Sequence, residues 1–176
     1  TGKLMLDGAL GSRGAWLLDP YSDDPGNSGS TIMPMEAAYR VSEQALAAGF
    51  QVASHAIGDR ANHEILNIYE RVFRENPRRA ADARFRIEHA QHLAEKDIGR
   101  FSELGVIAAV QGIHMGSDIS WAIDRLGSER IEEGAYVWQK LLRTGAVLSN
   151  GTDAPVEPVN PLANFYTSVT RRTLEG

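Results

Sequence analysis

The sequence predicts an α/β fold with a parallel sheet covered by helices, and three observations carry that expectation. Short apolar runs alternate strictly with longer amphipathic stretches along the 176 residues. The runs are apolar enough to be buried on both faces, as strands of a parallel sheet are. At the ends of several runs stands a polar residue able to bind a metal or carry a proton.

The elements follow in order. "KLMLD", residues 3–7, is the first strand. The Gly/Ser/Asp/Pro-rich segment "DPYSDDPGNSGST", residues 19–31, reads as a mobile loop. A helix is expected from Pro34 to Ala48, with proline in its first turn and Gly49 as its stop. "FQVASH" at 50–55 is the second strand. The helix behind it can take Asp59 as N-cap and lines up Ile65, Ile68, Tyr69, Val72 and Phe73 on one face, ending near Asn76–Pro77. "RFRIEH" at 84–89 is the third strand, and "AEKDIGRFSEL" a helix ended by Gly105. "VIAAVQ" at 106–111 is the fourth strand, followed by a long excursion, "MGSDISWAIDRLGSERIEEGA". "VWQKLLRT" is a helix stopped by Gly145, "AVLSNGTD" the fifth strand, and a last helix runs from Pro161 to Leu174. Five such strands suit an open doubly wound sheet or part of a (β/α)8 barrel.

Composition narrows the function classes. A formal net charge of −5 gives no electrostatic reason to expect nucleic acid or an anionic membrane as partner. The longest apolar runs, such as "GVIAAV", are far too short to span a bilayer, and the N-terminus is not signal-like. With no cysteine there are no disulfides and no thiolate metal sites, which fits a reducing, cytoplasmic setting. No strand is followed by G-x-G-x-x-G or a P-loop, and the glycines of "DGALGSRGA" have the wrong spacing and read as turn formers.

Position is the informative feature. Lys3 lies in the first strand, His55 ends the second, His89 ends the third, and Asp153 follows the fifth. In parallel α/β folds the carboxyl ends of the strands form the floor of the site, so these four groups should converge on one rim. Each alone has a structural explanation: a hydrogen-bonded histidine, a solvated lysine, a turn-forming aspartate. Two imidazoles and a carboxylate at strand ends together suggest a zinc-like site. His114, past the fourth strand, is a candidate substrate contact. His63 reads as solvent-facing or capping, and His92 as structural or supporting. Asp118 and Arg13 are loop charges whose plain reading is solvation. Glu88, by strand alternation, should face away from His89 and its partners.

"KLMLDGALGSRGA", "SHAIGDRAN", "RIEHAQ" and "GTDAPVEPVNPL" stand in the order found in the amidohydrolase superfamily. The chain resembles most its YtcJ-like branch, which includes N-substituted formamide deformylases. The resemblance runs from Lys3 to Arg171 and implies a (β/α)8 barrel holding one or two divalent metals, usually zinc. It implies that His55 is the ligand on barrel strand five and His89 that on strand six. Asp153 matches the strand-eight aspartate, a metal ligand that is also the general base. Lys3 matches the strand-four lysine that many members carboxylate with CO2 to bridge two metals. Replacement of "SDAPV" by "TDAPV" leaves the aspartate in place.

One departure matters. The family's first strand supplies His-x-His, and the histidines here stand at 55, 63, 89, 92 and 114. The chain is also shorter than the roughly 250 residues of a typical barrel. The expectation is therefore a partial (β/α)8 TIM barrel, about strands 4 to 8, with residues 1–176 the C-terminal portion and strands 1 to 3 and flanking elements outside the chain. The expected parent activity is metal-assisted hydrolysis of a C–N bond in a small amide, formamide or cyclic amide. Asp153 is its proton carrier, and His114 and Arg13 are substrate contacts. The isolated segment is expected to be inactive and to self-associate through exposed barrel edges. The rival reading is a catalytically silent α/β unit with a structural or protein-binding role.

Overall fold

A computed structural model describes residues 2–175. Five strands, β1 (Gly2–Met5), β2 (Val52–Ala56), β3 (Arg86–His89), β4 (Ile107–Val110) and β5 (Leu148–Asn150), form one sheet in the order β1-β2-β3-β4-β5. Every neighbouring pair is parallel. That order decides between the two architectures. A doubly wound sheet reverses its strand order at a switch point, whereas here each new strand joins the same side of the last. Winding in one direction is barrel topology, and the crossover helices then cover one face of the sheet.

Those crossovers are α1 (Met35–Ala47), α2 (Asp59–Glu75) continued by α3 (Pro77–Ala80), α4 (Glu95–Ile98) with α5 (Arg100–Leu104), and α8 (Trp138–Arg143). Register separates the two faces of the sheet. Leu4, Ser54 and Ile87 are partners across β1–β3, and the Ser54 hydroxyl lies 2.6 Å from the Tyr69 hydroxyl of α2. Beneath it Tyr69, Phe73 and Phe85 form an aromatic cluster with ring centroids 4.9–6.0 Å apart. Ile65, Leu66 and Val72 are fully buried against the same layer. Burying such side chains stabilises by roughly 1.5–3 kcal/mol each, so this face carries the fold. The opposite face holds the partner sets Lys3–Ala53–Arg86 and Met5–His55–Glu88.

Several expectations are corrected. The segment 19–31 is fastened rather than loose: Tyr21 is fully buried and donates to the Ala15 carbonyl at 2.7 Å. Asp23 of the same segment receives Arg13 and Arg125. The excursion after β4 contains α6 (Gly112–Asp118) and α7 (Ala122–Gly134), the latter broken at Gly127 with φ 77°. Met115, Ile119, Ala122 and Leu126 do fall at helical spacing, but the break at Gly127 interrupts the period. The last helix, α9 (Pro161–Thr170), stops four residues earlier than expected, where Arg171 turns left-handed and donates to the Tyr136 carbonyl at 2.9 Å. Among the described residues no helix is long and apolar enough to cross a membrane.

Candidate metal and substrate cleft

At the carboxyl end of the sheet an open cleft of about 490 Å³ is lined by Lys3, His55, His89, His114 and Asp153. The strand-end reading therefore brings five of its six site residues together. Arg13 is the exception. Its guanidinium is bound by both oxygens of Asp23, at 3.1 and 2.8 Å, so it clips the turn after β1 to the 19–31 segment. His63 is likewise engaged elsewhere, with Nδ1 3.0 Å from both oxygens of buried Asp97, where it joins α2 to α4.

The two central imidazoles touch. The His55 and His89 rings meet edge to face with centroids 4.5 Å apart, and His114 stacks on His89 at 5.8 Å. His55 reaches the cleft by ordinary alternation. His89 does not: its register partner is Ala56, on the helix-facing side. Left-handed backbone at His89 (φ 77°) and Ala90 (φ 42°) breaks the alternation and swings the ring into the cleft. Such backbone is costly for residues other than glycine and is concentrated at functional sites. Glu88 consequently shares the concave face with His55, where it pairs with Arg86 at 2.5 Å. The expected opposition of Glu88 to the site fails because the deviation sits at His89.

Hydrogen bonds fix the chemistry of these rings. Gln111, at the end of β4, donates its amide to the Ala109 carbonyl at 3.0 Å, which turns Oε1 toward His89 Nδ1 at 2.8 Å. That oxygen accepts only from a protonated Nδ1, so Nε2 keeps its lone pair. Burial pushes the His89 imidazole down to about 3, with the His55 and His114 rings adding to the effect. Burial and then the charge of Lys3 lower His55. Both rings are thus neutral at ordinary pH, the form that ligates metals. His55 Nε2 is buried and has no hydrogen-bond partner among the described residues.

Sequence reasoning missed the aspartate beneath this rim. Asp7 is fully buried and accepts from the backbone N–H groups of Trp16 (2.9 Å), Ile57 (3.0 Å) and Gly58 (2.8 Å), with Oδ1 3.5 Å from His55 Nε2. Burial raises its carboxyl to about 6 despite those three donors. It welds the turn after β1 to the turn after β2. The same corner explains Gly58. Helix α2 is capped by the Trp16 carbonyl, which accepts from Arg60 and Ala61 at 3.2 and 3.3 Å, and a Cβ on Gly58 would sit 2.0 Å from that oxygen. Asp59 is therefore not the N-cap: it is the first helical residue, accepts from the Leu18 N–H at 2.8 Å, and faces buried His92 at 3.5 Å. Asp7 and Gln111 both stand as polar residues ending apolar strands, the signal that singled out His55 and His89.

Donor chemistry fits a divalent ion: two touching neutral imidazoles, one Nε2 kept free by Gln111 and the other buried without a hydrogen bond among the described residues, with Lys3 and Asp153 in the same cleft. Among the described residues no three His, Asp or Glu side chains already stand close enough to hold one.

Comparison with known proteins follows this geometry closely. The profile described as "Amidohydrolase family" matches residues 1–176. The chain is 44% identical over 169 residues to Protein LONG AFTER FAR-RED 3 of Arabidopsis thaliana, covering 96% of this chain and 29% of that protein. It is 37% identical over 171 residues to YtcJ of Bacillus subtilis (strain 168), covering 97% of this chain and 31% of that protein. A crystal structure of a metal-dependent hydrolase from Pyrococcus horikoshii OT3 superposes with a TM-score of 0.85 at 37% identity, over 96% of this chain and 32% of that one. The chain thus spans less than a third of the length of these relatives.

Proposed function

The chain belongs to the amidohydrolase family, and we propose that it supplies the strand-end portion of a metal-assisted hydrolase site acting on a C–N bond of a small amide, formamide or cyclic amide. The observation that carries this reading is the meeting of Lys3, His55 and His89, from three strands, with Asp153, from the turn after β5, in one cleft. His55 and His89 would hold the ion through neutral nitrogens, with Asp153 as a carboxylate donor. Lys3, carboxylated by CO2, would add oxygen donors suited to a second ion. A divalent ion in that position, zinc being the best match for such donors, supplies an acidified water and polarisation of the substrate carbonyl. Asp153 Oδ takes the proton of the attacking water and delivers it to the leaving nitrogen, which departs as a neutral amine. Gln111 keeps His89 in the ligating tautomer throughout. His114, stacked on His89, is placed to contact the substrate beside the reacting carbonyl.

The test is the metal-reconstituted intact protein on an amide panel, with Asp153→Ala expected to reduce turnover at least a hundredfold. Normal turnover in that variant removes the assigned role. A silent structural unit is the second reading, favoured by the lack of a ready three-ligand cluster among the described residues. Elemental analysis separates the two, since stoichiometric zinc supports the hydrolase. The outer edges of β1 and β5, unpaired among the described residues, also support self-association, and a monodisperse monomer in light scattering at high concentration would count against it.

A further inference from the structure

Helix α6 leaves β4 directly and is held at its start, where the Gly112 and Ile113 amides donate to Asn150 Oδ1 (3.0 Å) and Asn164 Oδ1 (2.8 Å). His114 and Asp118 are four residues apart on it, hence on one face, and both line the cleft. His114 stacks on His89, so Asp118 lies one helical turn, about 5.4 Å, beyond the imidazole cluster.

Asp118 is not the solvated loop charge that the sequence suggested. Its Oδ2 accepts from the Tyr136 hydroxyl at 2.6 Å and from the Gln91 amide at 2.9 Å, and Gln91 also donates to the Tyr136 oxygen at 2.9 Å. Both supporting residues are buried. The Tyr136 phenol is raised well above its ordinary value, first by burial and then by the charge of Asp118, so it remains a neutral donor. Both donors converge on Oδ2, and Oδ1 makes no hydrogen bond among the described residues. The same cleft is lined by Leu10, Trp121, Val156 and a second carboxylate, Glu157, and Asp118 senses the charge of His114 first and that of Glu157 after it. Lys3 acts on His55 and His89, and Asp153 acts on His55 in the opposite sense. Two carboxylates, Asp118 and Glu157, thus line the cleft with the Trp121 indole, over which the Arg125 guanidinium already stands 5.8 Å from the ring centroid.

We propose that Asp118 is a specificity-determining residue, selecting substrates that carry an ammonium or guanidinium group at the end remote from the scissile bond. Resting on the hydrolase reading above, this assigns Oδ1 to the cation and Tyr136 and Gln91 to positioning the carboxylate. A ligand with a carboxylate at that end would meet two like charges and be excluded.

The test compares N-(5-aminopentyl)formamide with its uncharged isostere N-hexylformamide on the intact protein, by calorimetric binding and, separately, by turnover. The expected result is binding of the cationic probe about tenfold or more tighter, with the preference abolished in Asp118→Asn. No preference in the unmodified protein, or one that survives Asp118→Asn, overturns the proposal. If the preference appears and is lost in the variant while neither probe is cleaved, Asp118 stands as the cation contact and the hydrolase reading falls. Should Asp118→Asn not fold by circular dichroism, Asp118→Glu decides. It must keep the preference and shift it toward the one-methylene-shorter N-(4-aminobutyl)formamide, and an unshifted optimum counts against the assignment.

Discussion

Two contributors to the cleft, the imidazole pair and the segment that carries Asp153, are built differently. At the His55–His89 end every ring is set by buried groups: Asp7 gathers three backbone amides beneath His55, and Gln111 fixes the tautomer of His89. Asp153, in contrast, sits on a turn with φ 55° and is followed by apolar residues left exposed among the described residues, with Val159, Leu162 and Phe165 between 65% and 78% exposed. The difference teaches that the imidazoles are held in place before any ligand arrives. The carboxylate rides on a segment with little packing of its own. Energetically the first belongs to the core, whereas the second is tied to it mainly through Asn150 and Asn164.

Four measurements would break or sharpen that contrast. Asp7→Ala strands three buried backbone N–H groups, each worth about 1–3 kcal/mol, so urea denaturation should show a loss of about 3 kcal/mol or more. A loss below about 1 kcal/mol would mean that the His55 end is not fixed by this carboxylate. Gln111→Ala releases the tautomer of His89 and should weaken zinc binding about tenfold in a competition titration, while leaving the fold intact by circular dichroism.

The third measurement is a pH comparison. Burial lowers the His92 imidazole below its ordinary 6.5, although Asp59 stands 3.5 Å away. A depressed pKa means that the unfolded chain takes up the proton first, so this stability is present above pH 6.5 and is lost as pH falls below it. His55 and His89 act in the same sense, and the raised carboxyl of Asp7 acts against them. The denaturation midpoint should therefore fall less from pH 7.5 to pH 5.5 in His92→Gln than in the unmodified protein, and parallel falls would refute the argument. The smallest effect belongs to the loose end, where Leu162→Ser on the exposed face of α9 should change stability by no more than about 0.5 kcal/mol.

Much of the site was legible because strand ends are. Apolar runs of strand length located His55, His89 and the neighbourhood of Asp153, and the motifs named their partner Lys3. The same rule, applied to every strand, reaches Asp7 and Gln111, which stand at the ends of "KLMLD" and "VIAAVQ". What the sequence could not show was the left-handed backbone at His89, since a β-alternation argument assumes an unbroken pleat. Nor could it show that Gly58 is required by a carbonyl arriving from Trp16, a contact between segments about forty residues apart. Asp118 was misread for a related reason: its supports, Gln91 and Tyr136, come from elsewhere in the chain, and α6 is too short to announce a period.

The strand order has one more consequence. Because each strand is laid beside its predecessor without reversal, position in the sequence is angular position around the cleft. Lys3, His55, His89, His114 and Asp153 are met in that order whether one walks along the chain or around the rim. Inserted residues between two units would widen a step of that circuit without exchanging neighbours, so the mouth of the cleft can be reshaped while the order of its chemical groups stays the same.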